Sequence, residues 1–276
     1  MKAVLSIQSQ VAGARVGNSV AGFAMERLGV PVIAMPTAIL GRRPDRGAPG
    51  GGPIPATVLT TMLEALDADG ALANVSHVLS GYIALPEQAE VILEAVRRVK
   101  AASPGAQYVC DPVMGDAGAM FVKPEIVDAM RKRLAPAADI LTPNHWELET
   151  LADTKLPTLE TTHAGARSFG KPVIVTSAPS AQGVGVLYAS PAATWLVETP
   201  KIASAPKGAG DLFTALFIAR RALGQSVVMA LEAAAGATHD VIARSALEGG
   251  PHLALIDAQE KLEHPDTWPT ATPYKG

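Results

Sequence analysis

The chain has 276 residues, of which 48% are hydrophobic and 18% are charged, so it can bury a sizeable core and lacks the composition of a disordered protein. Its formal net charge is −3 and no stretch concentrates lysine and arginine, which argues against a nucleic-acid-binding protein. A single cysteine, Cys110, excludes an internal disulfide and a cysteine-rich metal site.

The N-terminal segment does not look like a targeting signal. Its apolar run is broken by Ser6, Gln8 and Ser9, which makes it too short and too polar for a signal peptide. No apolar run approaches the ~18 residues typical of a membrane span. We therefore expect a cytoplasmic protein that binds neither membranes nor nucleic acid.

Short β-like segments alternate with helix-like segments along most of the chain. Strands are predicted at residues 3–9, 30–36, 76–82, 107–113, 138–144 and 172–178. The helix-like segments between them are residues 17–29, 86–102, 123–135 and 145–152. This alternation predicts βαβ units and an α/β fold with a largely parallel, helix-covered sheet.

The pattern changes after residue 178. Residues 183–190 and 194–200 are joined by a Ser-Pro turn and predict an antiparallel hairpin at an edge of the sheet. Three helix-like segments follow, and residues 263–276 are expected to form an irregular tail. A Gly/Pro-rich loop at 41–55 is too long for a simple connector. We expect residues 1–276 to form a single domain.

Polar residues follow six of the predicted strands. In open parallel sheets, ligands bind beyond the carboxyl ends of the strands, so a site is expected there. The residues at these ends are Gln8-Ser9-Gln10, Met35-Pro36-Thr37, Ser80-Gly81-Tyr82, Asp111-Pro112-Val113, Thr142-Pro143-Asn144 and Thr176-Ser177.

Three carboxylates near these ends, Asp111, Asp116 and Glu147, are candidates for Mg²⁺, which prefers a few carboxylates together with water and nucleotide phosphates. The alternative is structural: Asp111 would form a turn before proline, and Glu147 would be a first-turn acid on its helix. The histidines show no metal-binding spacing. The Walker motif, the dinucleotide-binding glycine motif and the G-x-S-x-G motif of hydrolases are all missing.

The sequence Lys207-Gly208-Ala209-Gly210-Asp211 precedes an apolar helix and has two interpretations. In one, the glycines form a turn and Asp211 caps the helix, a contribution of ~1 kcal/mol. In the other, backbone N–H groups form an anion-binding nest and Asp211 is a base that removes a proton from an alcohol. We expect the helix N-terminus to keep Asp211 ionised.

The order of "IQSQ", "GNS", "PT", "SGY", "CDPVMGD", "TPNHWELE", "VTSA" and "KGAGDLF" resembles the pyridoxal kinases of the ribokinase-like superfamily, from residue 3 to about residue 220. The resemblance implies a three-layer α/β/α sandwich with a mostly parallel sheet. It also implies ATP as co-substrate with Mg²⁺, K⁺ as a further cation, and a homodimer. The expected reaction is phosphorylation of the 5′-hydroxymethyl group of pyridoxal, and also of pyridoxine and pyridoxamine, in vitamin B6 salvage.

The resemblance also implies roles for individual residues. Asp211 matches the catalytic base, and Gly208, Ala209 and Gly210 match the anion hole. The implied substrate contacts are Ser9, Thr37, Asp45, Tyr82 and Asp211. The implied nucleotide contacts are Asp111, Asn144, Glu147, Thr176, Ser177, Lys207, Gly208 and Gly210. The implied metal positions are Asp111, Asp116, Thr142 and Glu147.

The loop at 41–55 departs from the family pattern. It occupies the position of the substrate flap, where relatives usually carry Asn, His and aromatic residues, but it contains Arg42, Arg43 and Asp45 and no aromatic residue. This departure leaves the phosphate acceptor open. The alternatives are a hydroxymethylpyrimidine kinase of the same fold, or a protein that binds pyridoxal phosphate or a nucleotide without turnover.

Overall fold

The computed structural model describes residues 2–116, 119–203 and 205–276. The strands are β1 (Ala3–Val11), β2 (Val32–Leu40), β3 (Gly51–Pro53), β4 (Val75–Ser80), β5 (Gln107–Cys110), β6 (Gly115–Asp116), β7 (Ala119–Met120), β8 (Ile140–Leu141), β9 (Val173–Ala178), β10 (Val184–Ala189), β11 (Thr194–Thr199) and β12 (Thr272–Pro273). The helices are α1 (Asn18–Arg27), α2 (Ala56–Ala68), α3 (Gln88–Ala102), α4 (Pro124–Ala129), α5 (Ala135–Ala137), α6 (His145–Ala152), α7 (Leu159–Arg167), α8 (Ala209–Ala222), α9 (Val227–Glu248) and α10 (Gln259–Glu263). A π-helical turn, Met130–Leu134, joins α4 to α5.

The main sheet has the strand order β12-β11-β10-β9-β8-β5-β4-β1-β2-β3. Neighbouring strands from β2 to β9 are parallel. The pairs at both edges are antiparallel, including the hairpin of β10 and β11. The predicted sheet and edge hairpin are therefore confirmed.

Both faces of this sheet are covered by helices, because the central strands bury side chains on both sides. On β1, Val4 belongs to a core cluster that includes residues of α1, α8, α9 and α10, whereas the next residue, Leu5, belongs to a second cluster with residues of α2, α3, α4, α6 and α7. Successive side chains of a strand point to opposite faces, so one apolar strand supplies two cores. The three-layer α/β/α sandwich is confirmed.

Several sequence-based boundaries differ from the structure. The strand predicted at 107–113 ends at Cys110, and the one predicted at 138–144 is only Ile140–Leu141. The predicted helix 86–102 begins at Gln88, so Pro86 lies in the preceding turn. Helices α2 and α7 had no predicted counterpart.

The two segments expected to be irregular contain short strands. In the loop at 41–55, residues 51–53 form β3 and pair with residues 38–40 of β2. In the tail at 263–276, β12 pairs with Trp195 and Leu196 of β11. Within the described ranges, no helix has the length and apolar character needed to cross a bilayer.

Candidate active site

A cavity of 610 Å³ opens at the carboxyl ends of the parallel strands. It forms where loops following β1, β2, β4, β5 and β8 meet the end of β9 and the start of α8. The predicted site residues that line it are Ser9, Asp45, Tyr82, Asp111, Asp116, Thr142, Asn144, Glu147, Thr176, Ser177, Lys207, Gly208, Ala209, Gly210 and Asp211. Residues from seven separate segments of the sequence are thus brought to one cavity.

Thr37 is the predicted site residue that the structure does not bring to the cavity lining. Its side chain is fully buried, and its hydroxyl donates to the backbone carbonyl of Tyr82 at 2.7 Å. Its own carbonyl accepts from the Ile54 N–H and the Gln88 amide. Thr37 therefore ties the loop that carries Tyr82 to the end of the 41–55 loop.

Asp211 is not the cap of its helix. Gly208 occupies the N-cap position of α8 with φ +103°, and the helix has no side-chain cap. Asp211 is the third residue of α8, and its Oδ2 accepts from the backbone N–H of Gly17 at 3.1 Å. The capping interpretation is therefore wrong, and the carboxylate joins two loops that are 194 residues apart in sequence.

The helix N-terminus is not the main influence on the pKa of Asp211, although the group is ionised at neutral pH as expected. Burial raises the pKa of this carboxyl to about 6, and the N–H of Gly17 opposes that rise only in part. Loss of water around the charged form outweighs the favourable N–H groups. At pH 7 Asp211 is mostly ionised, yet its pKa lies close enough to neutrality for it to accept a proton.

Two glycines near Asp211 allow the loop at residues 12–17 to pack closely against the start of α8. A Cβ on Gly208 would lie 2.0 Å from the carbonyl oxygen of Arg15, and one on Gly17 would lie 2.4 Å from that of Ser9. By contrast, a Cβ on Gly210 would meet no atom within 4 Å. Gly208 is thus required by the local packing, whereas Gly210 borders open space in the cavity.

Glu147 has the structural role that its position allowed, as a first-turn acid of α6. With Asn144 it forms a capping box at the start of α6: each side chain accepts from the other's backbone N–H at 2.9 Å. Glu147 also accepts from the Met114 N–H at 3.0 Å and is only 4% exposed. Burial raises the pKa of Glu147 to about 8, although its backbone hydrogen bonds act in the opposite direction.

Asp111 lies directly after β5, and its own burial raises its pKa well above the usual value. The negative charges of Glu147 and Asp211 add to this rise, so the three carboxylates lie within each other's field. The hydroxyl of Thr142 is buried in the same lining and has no hydrogen-bond partner among the described residues. A cation bound here would relieve the repulsion and satisfy oxygen atoms that lack a donor.

The donor set suits Mg²⁺. Among the described residues, no three His, Cys, Asp or Glu side chains form a metal centre by themselves. Magnesium commonly keeps several waters and binds one or two carboxylates together with substrate phosphates. The described lining carries five carboxylates and two cationic side chains, a formal charge of −3 when every group is ionised. Because burial raises the pKa of Asp111 and Glu147, a bound cation would favour their ionised forms and would also neutralise nucleotide phosphates.

The two cationic side chains of the lining are both paired with carboxylates. Lys207 Nζ lies 2.5 Å from Asp116 Oδ2 and 5.0 Å from the centre of the Phe121 ring. Arg43 donates two hydrogen bonds to Asp45, at 2.9 and 2.7 Å. These bonds are the main reason that the pKa of Asp45 is lowered.

A second cavity of 170 Å³ adjoins the first and was not predicted from the sequence. The two share Thr176, Ser177, Ala205, Ala209 and Gly210. Its other lining residues are mainly apolar and come from β10, α8, α9 and the segment after β11: Val184, Val186, Thr199, Pro200, Ile202, Phe213, Ala235, Thr238, His239 and Ile242. No local motif marks these residues, because the cavity arises only when the edge hairpin packs beside α9.

The known proteins that this chain resembles agree in their descriptions, because each is described as a kinase. A family model described as phosphomethylpyrimidine kinase matches residues 24–254. The chain is 38% identical over 272 residues to pyridoxal kinase PdxY of Rubrobacter xylanophilus, covering 95% of this chain and 94% of the relative. It is 36% identical over 278 residues to pyridoxal kinase PdxY of Paraburkholderia xenovorans, covering 97% and 96%. Pyridoxal kinase of Leishmania donovani, solved in complex with ADP and pyridoxamine, superposes with a TM-score of 0.93 at 27% identity over the full length of both chains.

Proposed function

We propose, since this chain belongs to the pyridoxal kinase family, that it transfers the γ-phosphoryl group of ATP to the 5′-hydroxymethyl group of pyridoxal. The product is pyridoxal 5′-phosphate, and pyridoxine and pyridoxamine are further acceptors. The observation that carries the proposal is the position of Asp211. It is a cavity-lining carboxylate at the start of α8 that does not cap its helix and has a pKa near neutrality.

Asp211 acts as the base in this reaction. Its Gly17 hydrogen bond leaves the other carboxylate oxygen available to the acceptor hydroxyl and fixes the orientation of the group. As the hydroxyl oxygen bonds to the γ-phosphorus, its proton passes to Asp211, and the bond from that phosphorus to the β,γ-bridging oxygen breaks to release ADP. The N–H groups at residues 208–210 and the positive end of α8 stabilise the charge on the transferred phosphoryl group.

The buried carboxylates hold the metal. Asp111 and Glu147 are the proposed ligands of Mg²⁺, and the unpartnered hydroxyl of Thr142 is the proposed contact of K⁺. When bound, the magnesium ion neutralises phosphate charge that the lining, at a formal −3, would otherwise repel. We leave Asp116 out of this ligand set because its side chain pairs with Lys207.

The nucleotide spans the two cavities. Its base occupies the smaller, mainly apolar one, and its phosphates pass Thr176 and Ser177 toward Gly210, which borders both cavities. Ser9, Tyr82 and the 41–55 loop surround the acceptor at the other end of the larger cavity. The family resemblance supports a cytoplasmic location and a homodimer as part of this proposal, and light scattering of the purified protein tests the homodimer.

The first experiment compares wild type with Asp211→Asn in Mg-ATP-dependent phosphorylation of pyridoxal. Loss of a general base typically costs ~10²–10⁴ in rate, so the variant should be nearly inactive. Its melting temperature should not fall, because the asparagine oxygen can still accept from the Gly17 N–H and only a buried charge is lost. Asp128→Asn, an exposed residue of α4 paired with Lys132, is the matched control and should keep full activity.

Two results would contradict the proposal. If wild type does not phosphorylate pyridoxal, the assigned reaction is wrong. If the Asp211→Asn variant melts like wild type and phosphorylates pyridoxal at a similar rate, Asp211 is not the base. Proteins that merely bind pyridoxal phosphate need an anion-binding site but no base, and the proposed base, Asp211, is present in this sequence.

A second acceptor should be assayed beside pyridoxal. The matching family model is described as phosphomethylpyrimidine kinase, and the 41–55 loop carries arginines in place of aromatic residues. The family model makes hydroxymethylpyrimidine the alternative acceptor, and the loop by itself does not separate the two compounds. Comparing kcat/KM for the two compounds decides between them, and the roles of Asp211 and Gly210 are the same in either case.

A further inference from the structure

Lys207 is the cation nearest to the proposed anion hole in sequence, immediately preceding Gly208. In this structure its ammonium group is bound to Asp116 at 2.5 Å, with the face of Phe121 at 5.0 Å. The other cation of the described lining, Arg43, is bound by two hydrogen bonds to Asp45. An incoming phosphate therefore finds both cationic side chains already occupied by carboxylates.

The geometry points to Asp116 as an internal competitor for Lys207: it holds the ammonium group until nucleotide phosphate oxygens displace it. This inference rests on the proposed kinase function, because it assumes that nucleotide phosphates lie at residues 208–210. It gives Asp116 a positioning role, acting on the nucleotide through Lys207, in place of the metal-ligand role expected from the sequence.

Two features of Asp116 favour the competitor role. Its side chain is 45% exposed, whereas Glu147, a proposed magnesium ligand, is buried. The two residues before it are bound to the start of α6 instead. The Gly115 carbonyl accepts from the Asn144 amide, and the Met114 N–H donates to Glu147. Asp116 is thus the point where this segment turns from the buried carboxylates toward the cavity mouth.

Sharing Lys207 between both anions is unfavourable. An ammonium group has three N–H donors and can contact Asp116 and a phosphate together. Such sharing would bring the carboxylate beside a polyanion, in a lining that already has an excess of negative charge. Exchange avoids that repulsion, and the ring of Phe121 stays beside the ammonium group while its partner changes.

The test is calorimetric titration of ADP into wild type, Asp116→Asn, Lys207→Met and the double variant, each with Mg²⁺ and with EDTA. An exposed ion pair contributes little, so Asp116→Asn should bind ADP about two- to fivefold more tightly than wild type. The gain should appear with and without Mg²⁺, and it should be absent when Asp116→Asn is added to Lys207→Met. In turnover, KM for ATP should fall in Asp116→Asn while kcat does not rise. Asp128→Asn, which removes an exposed, lysine-paired acid outside the cavity, should bind like wild type.

Other outcomes would overturn the inference. Weaker ADP binding by Asp116→Asn that appears only with Mg²⁺ would identify Asp116 as a metal ligand. Unchanged affinity, or a gain that persists in the Lys207→Met background, would show that the ion pair does not compete with nucleotide. Wild type that fails to bind ADP at all would instead refute the proposed function itself.

Discussion

Gly208 and Gly210 lie two residues apart, and replacing each with alanine should have opposite effects on stability. At Gly208, φ is +103° and an added Cβ would lie 2.0 Å from the Arg15 carbonyl oxygen. A residue with a side chain in such a conformation costs about 1–3 kcal/mol, and displacement of the loop at residues 12–17 adds to this. We expect Gly208→Ala to lose about 2–4 kcal/mol, which lowers the melting temperature by about 4–8 °C.

At Gly210 the backbone is helical and an added Cβ meets no atom within 4 Å. Gly210→Ala should therefore gain about 0.5 kcal/mol, since alanine is a better helix former and restricts the unfolded chain. Its methyl group would, however, project into the space proposed for the transferred phosphoryl group. We expect kcat to fall by about 10²-fold, the cost of removing one oxyanion-stabilising contact.

The assay pairs thermal unfolding with Mg-ATP-dependent phosphorylation of pyridoxal. Gly22→Ala is the matched control, because Gly22 is also helical with open space at its Cβ but lies in α1. It should be slightly more stable than wild type and fully active. Full activity of a stabilised Gly210→Ala variant would refute the anion hole, and an unchanged melting temperature in Gly208→Ala would refute the close contact with Arg15.

Two further predictions concern stability. Glu147 has a folded-state pKa of about 8 against an ordinary 4.5, so between these values the folded state binds the extra proton and the free energy of unfolding should rise as pH falls. The melting temperature of the nucleotide-free protein should therefore rise as the pH is lowered from 8.5 to 6. The gain in free energy of unfolding is at most about 1.4 kcal/mol per pH unit. The same pH dependence in Glu147→Gln would contradict the assignment. Thr37→Val removes the bond to the Tyr82 carbonyl and should cost about 1–2 kcal/mol while changing KM for pyridoxal less than Ser9→Ala does. A large rise in KM without a change in melting temperature would instead place Thr37 in contact with the acceptor.

Much of the fold could be predicted because the central strands are apolar runs separated by helix-like segments. Helix α2 escaped prediction because it follows the Gly/Pro-rich loop and buries fully only Leu59 and Leu63. Helix α7 has the sequence LETTHAGAR, whose few apolar residues give a weak pattern. Both helices are stabilised mainly by packing against the rest of the molecule, because their local sequences favour the helical conformation only weakly.

The site could be predicted as a set of residues but not as a network of contacts. Carboxyl ends of parallel strands meet at one edge, so polar residues at those ends could be grouped from the sequence alone. The bond between Gly17 and Asp211, and the ion pair between Asp116 and Lys207, join segments far apart in the chain and follow no spacing rule. The pKa of Asp211 depends on how much water the finished fold removes, which no local motif contains.

The short strands at the two ends of the main sheet also affect how the molecule meets its neighbours. β3 has three residues and β12 has two, and each contains a proline, which has no N–H to donate. Longer uncovered edge strands are templates for pairing with another chain, and natural sheets avoid this with short edges and proline. The tail that carries β12 covers the first half of the longer strand β11, at Thr194, Trp195 and Leu196. It thus shortens the free edge of a ten-stranded sheet, and with it the risk of aggregation, at the end where the hairpin of β10 and β11 borders the smaller cavity.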